Sequence, residues 1–314
     1  MVVSQIRVKC GSVDAYTQMN PTSWEEGMTM DDMEIRTLSR HLDVMAKKSD
    51  AEWMATLNKR KLEELEFHDK DRLIDENSGI PPEEVAGNVK FYKTAGLYSR
   101  YIKQWIAEHA KDKIFLDYAC GSGTNAVHAA TNGAKLAIGL DISKVSIARA
   151  KKRAAERNLT NTSFVQGDCE NTGLPDNCVD VIFCGGMLHH LELSYAFPEL
   201  RRILKPGGII LAAEALAYNP AIQAYRLITP SLRTDFEKRH ILSLADVHFA
   251  KRFFDVSNMK FWHLFSIGVT PFIERSWSKY ILALANALDG IVLRIPLIRL
   301  MAWMFTFEMR KRND

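Results

Sequence analysis

Three aspartates stand at the ends of apolar runs, where they could bind different parts of one extended ligand. Asp117 ends the run that begins at Ile114, and Asp141 and Asp168 end the next two runs. Ligands of open α/β sheets bind outside the carboxyl ends of parallel strands, so we expect the three carboxylates along one sheet edge. Asp141 follows Gly121 by about twenty residues, the spacing at which a carboxylate takes the hydroxyls of a ribose. Asp168 is placed either to accept from an adenine amino group or to cap the turn that follows it.

A glycine-rich turn separates Asp117 from a predicted helix that starts at Thr124. Gly121 and Gly123 let the backbone turn tightly and approach a ligand, and the helix would present free N–H groups. Dinucleotide-binding loops have a similar turn, and Ala126 would be a tolerated third position of their motif. Asp117 would repel a pyrophosphate, however, and it suits a cationic ligand that carries an amino group. S-adenosylmethionine, with its ammonium and its sulfonium, fits this turn better than a dinucleotide does.

Several motifs in register extend this pattern to a known family. The residues Asp117-Tyr-Ala-Cys-Gly-Ser-Gly123 and the segments PDNCVDVIFCGGMLHHL (175–191) and LRRILKPGGIILAAE (200–214) resemble class I S-adenosylmethionine-dependent methyltransferases of the ubiquinone and menaquinone-biosynthesis group, methyltransferase type 11. The resemblance covers residues 110–215 closely, and Ala119 stands where the family usually has a glycine. It implies S-adenosylmethionine as the cofactor, with Asp117 on the ammonium, Asp141 on the ribose and Asp168 on the adenine. The implied cofactor-binding residues are Asp117, Ala119, Cys120, Gly121, Gly123, Asp141, Ile142, Asp168, Cys169 and Gly185.

Two histidines and a tyrosine are the candidates for catalysis. His189 and His190 follow the fourth predicted strand. Imidazole titrates near neutral pH and can take a proton from an acceptor O–H or acidic C–H, although either histidine could instead tie the loop to the sheet. Tyr92 or Tyr98 could close over the sulfonium, because an aromatic face stabilises a cation. Most aromatic residues at helical spacing belong to the core, which is the alternative for both tyrosines.

The insertion 215–258 is predicted to hold the acceptor. Asn219-Pro220 would begin a short helix there, and Thr229-Pro230 would end it. The arginines that follow suit a phosphate or carboxylate on the acceptor, or they form ion pairs that only hold the insertion in place. The candidate acceptor-binding residues are His68, Glu214, Arg226, Arg233 and His240.

Net charge, composition and cysteine content limit the functions that this chain can have. The chain has 314 residues, a net charge of +3 and 25% charged residues, so no basic field argues for nucleic acid. Its five cysteines include no C-x-x-C pair, which predicts a reducing compartment and no metal site. The N-terminus has no apolar segment of the kind that a secretory signal needs, so we expect a cytoplasmic protein.

The predicted domain organisation is a flexible arm (1–30), a helical lid (31–109) and the cofactor-binding domain (110–314). Within the lid, Ser49 and Glu52 form a capping-box pattern that predicts a helix start. Homo-oligomerisation through these helices is one alternative to packing on the domain.

The C-terminal part is the most apolar of the chain. We expect a strand over 260–267, then a helix within 280–305 that covers the sheet, then a last strand over 302–309, antiparallel at the sheet edge. Charges and a proline interrupt every run that could span a membrane, and lying on a membrane surface is the alternative.

The sequence therefore predicts an α/β fold, a Rossmann-like, seven-stranded, mostly parallel sheet with helices on both faces and an N-terminal helical extension. The predicted activity is methyl transfer from S-adenosylmethionine to a small, hydrophobic acceptor. An isoprenoid with or without a diphosphate, a quinone precursor and a lipid are the acceptor classes. A nicotinamide-dependent oxidoreductase and a non-catalytic cofactor-binding partner protein are the alternatives.

Overall fold

The computed structural model describes residues 29–78 and 89–312, and its centre is a single seven-stranded sheet. The strand order is β3-β2-β1-β4-β5-β7-β6, and β7 runs antiparallel to both of its neighbours. The first five strands pair in parallel. This confirms the predicted fold class. The strands are β1 (Ile114–Tyr118), β2 (Leu136–Asp141), β3 (Thr162–Gln166), β4 (Val179–Gly185), β5 (Leu204–Ala215), β6 (Asp255–Trp262) and β7 (Met304–Arg310).

Helices cover both faces of the sheet because its central strands are apolar on both sides. In β1, Ile114 and Leu116 belong to one buried cluster and Phe115 to the other. The described helices are α1 (Met30–Met45), α2 (Asp50–Met54), α3 (Lys59–Ser78), α4 (Val89–Tyr92), α5 (Gly96–Ala110), α6 (Thr124–Thr131), α7 (Lys144–Ala155), α8 (Leu193–Ile203), α9 (Pro220–Ile228), α10 (Asp235–Arg239), α11 (Leu244–Ala250) and α12 (Ser278–Val292). Helices α5, α6 and α7 pack on the Phe115 side, and α1, α8 and α11 pack on the other.

Helix starts follow the capping residues that the sequence offers. Ser49 and Glu52 form the predicted capping box, which confirms that start. Asn219 caps α9, whose bounds agree with the predicted ones. The proposed arm lies outside the described residues, apart from Thr29, which caps α1, and Met30. Among the described helices, none has both the length and the apolar character that crossing a bilayer requires.

The C-terminal predictions need three corrections. The last strand is not at the sheet edge: β7 lies between β5 and β6, and almost all of its side chains are buried, as an internal strand requires. The strand predicted over 260–267 ends at Trp262, because His263 has a left-handed φ of 63° and the next three N–H groups turn onto the Asp289 carboxylate. Helix α12 does not cover the sheet, since it packs on the short helical segment Ser266–Phe272.

Gly139 in β2 provides a test of how closely the sheet packs under the site. A Cβ atom at this position would lie 2.5 Å from the Phe164 ring and 2.9 Å from the Cys120 sulfur. We expect Gly139→Ala to lower the free energy of unfolding by about 1 to 3 kcal/mol, because these neighbours must shift. Thermal and urea unfolding measure this change. Gly96→Ala is the control, since no atom lies within 4 Å of its added Cβ, and an equal loss in both variants would contradict the prediction.

Candidate active site

A cavity of about 1130 Å³ opens at the carboxyl ends of the central parallel strands, beneath helix α3. The loops after β1, β2, β3 and β4 all contribute to its wall, because parallel strands end at the same edge. Most of the residues predicted from the sequence meet there. Those that line the cavity are His68, Tyr92, Asp117, Ala119, Cys120, Gly121, Asp141, Ile142, Asp168, Cys169, Gly185, His189 and His190.

Asp117 ends β1 as a buried carboxylate. The Ala126 N–H, in the first turn of α6, donates to it at 3.1 Å. Burial, together with repulsion from Asp141, raises the pKa of Asp117 to about 7 despite this hydrogen bond. The Asp117 carboxyl is therefore only partly ionised at neutral pH, and a cation beside it would favour the ionised form.

Asp141 ties the glycine turn to the end of β2. Its carboxylate accepts from Gly121 N at 2.8 Å and from Ser143 N at 2.9 Å. Within the turn, Ala119 has a left-handed φ of 59°, the conformation that a glycine adopts at no steric cost. Gly123, by contrast, does not line the cavity. A Cβ at Gly123 would lie 2.7 Å from that of Ala150, so this glycine permits the close approach of α7.

Two cations of helix α3, Arg60 and Lys61, form ion pairs with carboxylates that follow β3. Neither cation was predicted from the sequence. The Lys61 ammonium lies 2.6 Å from Asp168 Oδ2 and 2.9 Å from Glu170 Oε2, and Arg60 pairs with Glu170. Burial works against the charge on Lys61, but the two carboxylates outweigh it and raise the pKa of Lys61. The other oxygen of Asp168 accepts from Glu170 N at 2.8 Å. Asp168 thus caps the turn, as its alternative interpretation predicted, and also holds α3.

His189 forms a buried dyad with Glu214. The imidazole Nδ1 lies 2.7 Å from Glu214 Oε2, and Met187 N and Leu188 N both donate to Glu214 Oε1 at 2.8 Å. These backbone bonds fix the carboxylate, which in turn fixes the imidazole. The second ring nitrogen, Nε2, lies 3.9 Å from Glu237 Oε1. Glu214 itself does not line the cavity, so it can act there only through His189.

His190 belongs to a different group, which joins the strand end to α3. Its Nδ1 lies 3.0 Å from Glu64 Oε2, His68 Nε2 lies 3.7 Å from the same oxygen, and the Thr234 hydroxyl donates to Glu64 Oε1 at 2.5 Å. Burial opposes protonation of His190, but its bond to Glu64 and the surrounding carboxylates raise the pKa of His190. The ligand atoms of Glu64, His68 and His190 lie within 4.8 Å of one another, a donor set that could hold a transition metal ion.

The predicted acceptor cations are turned away from the cavity. Arg226 donates to the Glu237 carbonyl at 2.5 Å, and Arg233 donates to the Thr229 carbonyl at 2.8 Å. Both guanidinium groups lie within 4 Å of the Glu237 carboxylate, which is an ion-pair arrangement. His240 also lies behind the wall, with Nδ1 at 3.1 Å from the His189 carbonyl. Neither arginine nor His240 lines the cavity, whereas Glu237 does.

Tyr92 lines the cavity, and its ring centroid is 5.2 Å from that of Trp303. Although 48% of the residue is exposed, desolvation of its hydroxyl raises the pKa of Tyr92 to about 12. The hydroxyl is therefore neutral at physiological pH and can donate a hydrogen bond. Tyr98, the other candidate, is buried against Trp262 and does not line the cavity.

Comparison with known proteins agrees with this geometry. Residues 116–212 match the family model of a methyltransferase domain. A probable methyltransferase of Aspergillus luteorubrus is 34% identical over 119 residues, which are 34% of this chain and 41% of that protein. A demethylmenaquinone methyltransferase of Shouchella clausii is 30% identical over 145 residues, which are 45% of this chain and 59% of that protein. The chain thus spans less than two thirds of either relative.

Solved structures share the fold at low sequence identity. The geranyl diphosphate C-methyltransferase of Streptomyces coelicolor A3(2) is 14% identical, with a TM-score of 0.52, and the match covers 72% of this chain and 84% of that chain. At this identity the likeness concerns the fold alone. The family match, the curated relatives and the sheet order agree with the motifs that the sequence presents. Residues 116–212 thus match a methyltransferase domain, which confirms the resemblance to class I S-adenosylmethionine-dependent methyltransferases that the sequence predicts.

Proposed function

We propose that this chain transfers a methyl group from S-adenosylmethionine to a small, hydrophobic acceptor that loses a proton in the reaction. The observation that carries the proposal is the juxtaposition, in one cavity, of the buried Asp117 carboxylate and the His189–Glu214 dyad. The first suits a cationic cofactor and the second suits proton removal.

The cofactor end of the cavity fits S-adenosylmethionine. Asp117 would hold the ammonium. Burial raises the pKa of this carboxyl to about 7, so a neighbouring cation would stabilise its ionised form. Asp141 would take the ribose, and the backbone of the glycine turn would line the cofactor. The Tyr92 ring would face the sulfonium, where an aromatic surface stabilises positive charge. When bound, S-adenosylmethionine supplies an electrophilic methyl group.

His189 is the base that the geometry favours. Glu214 holds Nδ1, so that Nε2 is left to take a proton from the acceptor, and the resulting imidazolium is stabilised by the same carboxylate. His190 is less suited to this role, because its pKa is raised by Glu64 and the surrounding carboxylates despite burial, and a protonated ring cannot take a proton. We assign His190, with Glu64 and His68, to closing α3 over the site.

The acceptor end favours an apolar molecule. Its wall includes Phe67, Met187, Leu191, Leu232 and Met304. Because Glu237 pairs with both Arg226 and Arg233, these arginines are poorly placed to take a diphosphate. A phenolic quinone precursor or a neutral isoprenoid lipid therefore fits better than a prenyl diphosphate.

Calorimetric titration of S-adenosylmethionine tests the cofactor assignment. We expect Asp141→Asn to weaken binding by about 1 to 3 kcal/mol, since a charged hydrogen-bonding partner is lost. Asp255→Asn is the control, because this exposed residue lies on β6 at the opposite edge of the sheet and pairs only with Arg312 among the described ion pairs. Equal affinities in all three proteins, or tighter binding of NAD, would refute the assignment.

Formation of S-adenosylhomocysteine tests the reaction. A panel of phenolic quinone precursors, sterols, prenols and prenyl diphosphates would be supplied in turn. We expect turnover with neutral apolar acceptors in preference to diphosphates. Binding without turnover on any member would favour the non-catalytic alternative, and a preference for diphosphates would contradict the role given to Glu237.

A further inference from the structure

We propose that the outer face of α12 is a membrane-docking surface that binds anionic lipid. This inference goes beyond methyl transfer and does not depend on it. The outer face is defined by Trp277, Ile281, Leu284, Leu288, Ile291 and Ile295, all of which are exposed. The four residues within α12 (Ile281, Leu284, Leu288 and Ile291) are spaced three and four apart, so they form one apolar stripe, and Trp277 and Ile295 flank its two ends.

The helix cannot bury this stripe by rotating, because its inner face is anchored. Ala285 and Asp289 are buried, and the Asp289 carboxylate accepts from the backbone N–H groups of Leu264, Phe265 and Ser266 at distances between 2.7 and 3.2 Å. The Ser266 hydroxyl donates to the same carboxylate at 2.6 Å. A rotation would leave a charged group buried without partners. The stripe therefore stays exposed, with 62% of Leu284 and 64% of Ile291 accessible.

Charges around the outer face identify the partner. The exposed charges around α12 are Arg275, Lys279 and Arg294, together with Glu274, whose carboxylate pairs with Lys93, whereas Asp289 is buried. Two copies of the chain that met through this face would bring these cations together. An anionic bilayer would instead receive the apolar stripe between its headgroups and attract the cations at its surface. Trp277 lies at one end of the helix, the position that suits an aromatic side chain at the membrane interface.

The chain that follows α12 leads to the cavity wall. The segment after α12 leads to Met301, whose carbonyl accepts from Asn219 Nδ2 at 2.5 Å, and then to Met304 in the cavity wall. Helix α9, which Asn219 caps, exposes 81% of Leu227 and 78% of Ile228. An apolar acceptor dissolved in the bilayer would thus have an apolar surface beside the site.

Cosedimentation with lipid vesicles tests the proposal on the full chain. The probes are vesicles of phosphatidylcholine alone and of phosphatidylcholine mixed with phosphatidylglycerol. We expect binding to the anionic vesicles that weakens as salt is raised. The double variant Leu284→Asp/Ile291→Asp should reduce this binding about 10-fold or more, because two apolar contacts are lost and two charges are added.

Three further measurements keep the outcome unambiguous. Val44→Asp, an equally exposed position on α1, should bind vesicles as the unaltered chain does. Circular dichroism and S-adenosylmethionine binding would establish that the double variant is folded. Light scattering would reveal self-association. A dimer that the double variant dissolves, or equal binding of both variants to vesicles, would overturn the proposal.

Discussion

Replacing His189 by alanine is expected to lower kcat about 100- to 10,000-fold while S-adenosylmethionine still binds with nearly unchanged affinity. The reason is the proposed division of the cavity, in which the imidazole would face the acceptor and the carboxylates of the strand ends would face the cofactor. Steady-state formation of S-adenosylhomocysteine with the best acceptor of the panel gives kcat, and calorimetry gives the affinity. A loss of less than about threefold in kcat would exclude His189 as the base.

Glu214→Gln separates positioning from proton removal in the same dyad. The amide keeps the size of the carboxylate but loses its charge, so the imidazolium that forms during turnover is less stable. We expect a lower kcat and a shift of the limb of the pH–rate profile that reports the base. His240→Ala is the control, because its ring contacts the His189 carbonyl and does not line the cavity. A flat change in rate at every pH would indicate a structural effect only.

Asp117→Asn is expected to weaken S-adenosylmethionine binding about 100-fold and to stabilise the ligand-free fold at high pH. The amide can still accept from Ala126 N, but it cannot neutralise an ammonium. Calorimetry measures the first effect and thermal unfolding the second. Binding as tight as in the unaltered chain would exclude Asp117 from the cofactor site.

The pH dependence of both effects follows from the raised pKa of Asp117. Its pKa is about 7 in the folded chain, against an ordinary value of 3.8, so the folded state binds more protons and stability falls as pH rises between these two values. Above pH 7 the buried charge costs up to about 4 kcal/mol, which the asparagine variant avoids. Ligand affinity should fall in the unaltered chain as pH drops below 7, since the carboxyl is then protonated, and should change little in the variant.

Features that depend on neighbouring residues in the chain could be predicted from the sequence, whereas contacts between distant segments could not. Asp117, Asp141 and Asp168 were found because each ends its own apolar strand, and parallel strands bring such ends together. The contacts of α3 were missed because Glu64 meets a histidine 126 positions away. A signal did exist, since Arg60, Glu64 and His68 recur every four residues on one face of a helix. Of these three residues, only His68 was among the predicted site residues.

The position of β7 was missed for a related reason. A last strand pairs on one side or on two according to where the strand before it lies in the sheet. The strand before it was predicted over 260–267, too far along the chain, since β6 spans Asp255–Trp262. The run Met304–Phe307 is buried on both faces, which is typical of an internal strand, and the sequence shows it as an apolar stretch that only Thr306 interrupts. Likewise, the Glu237 pairing of the arginines required the fold of the insertion, although it was one of the two alternatives considered.

Helix α3 is expected to influence how long a ligand stays in the cavity. Lys61 and Arg60 bridge from that helix to Asp168 and Glu170, at the end of the strand expected to meet the adenine. Charge-assisted contacts of this kind must break before a nucleoside can pass and reform after it. We therefore expect the residence time of the demethylated product to depend on Arg60 and Lys61, which lie outside the 116–212 homology region.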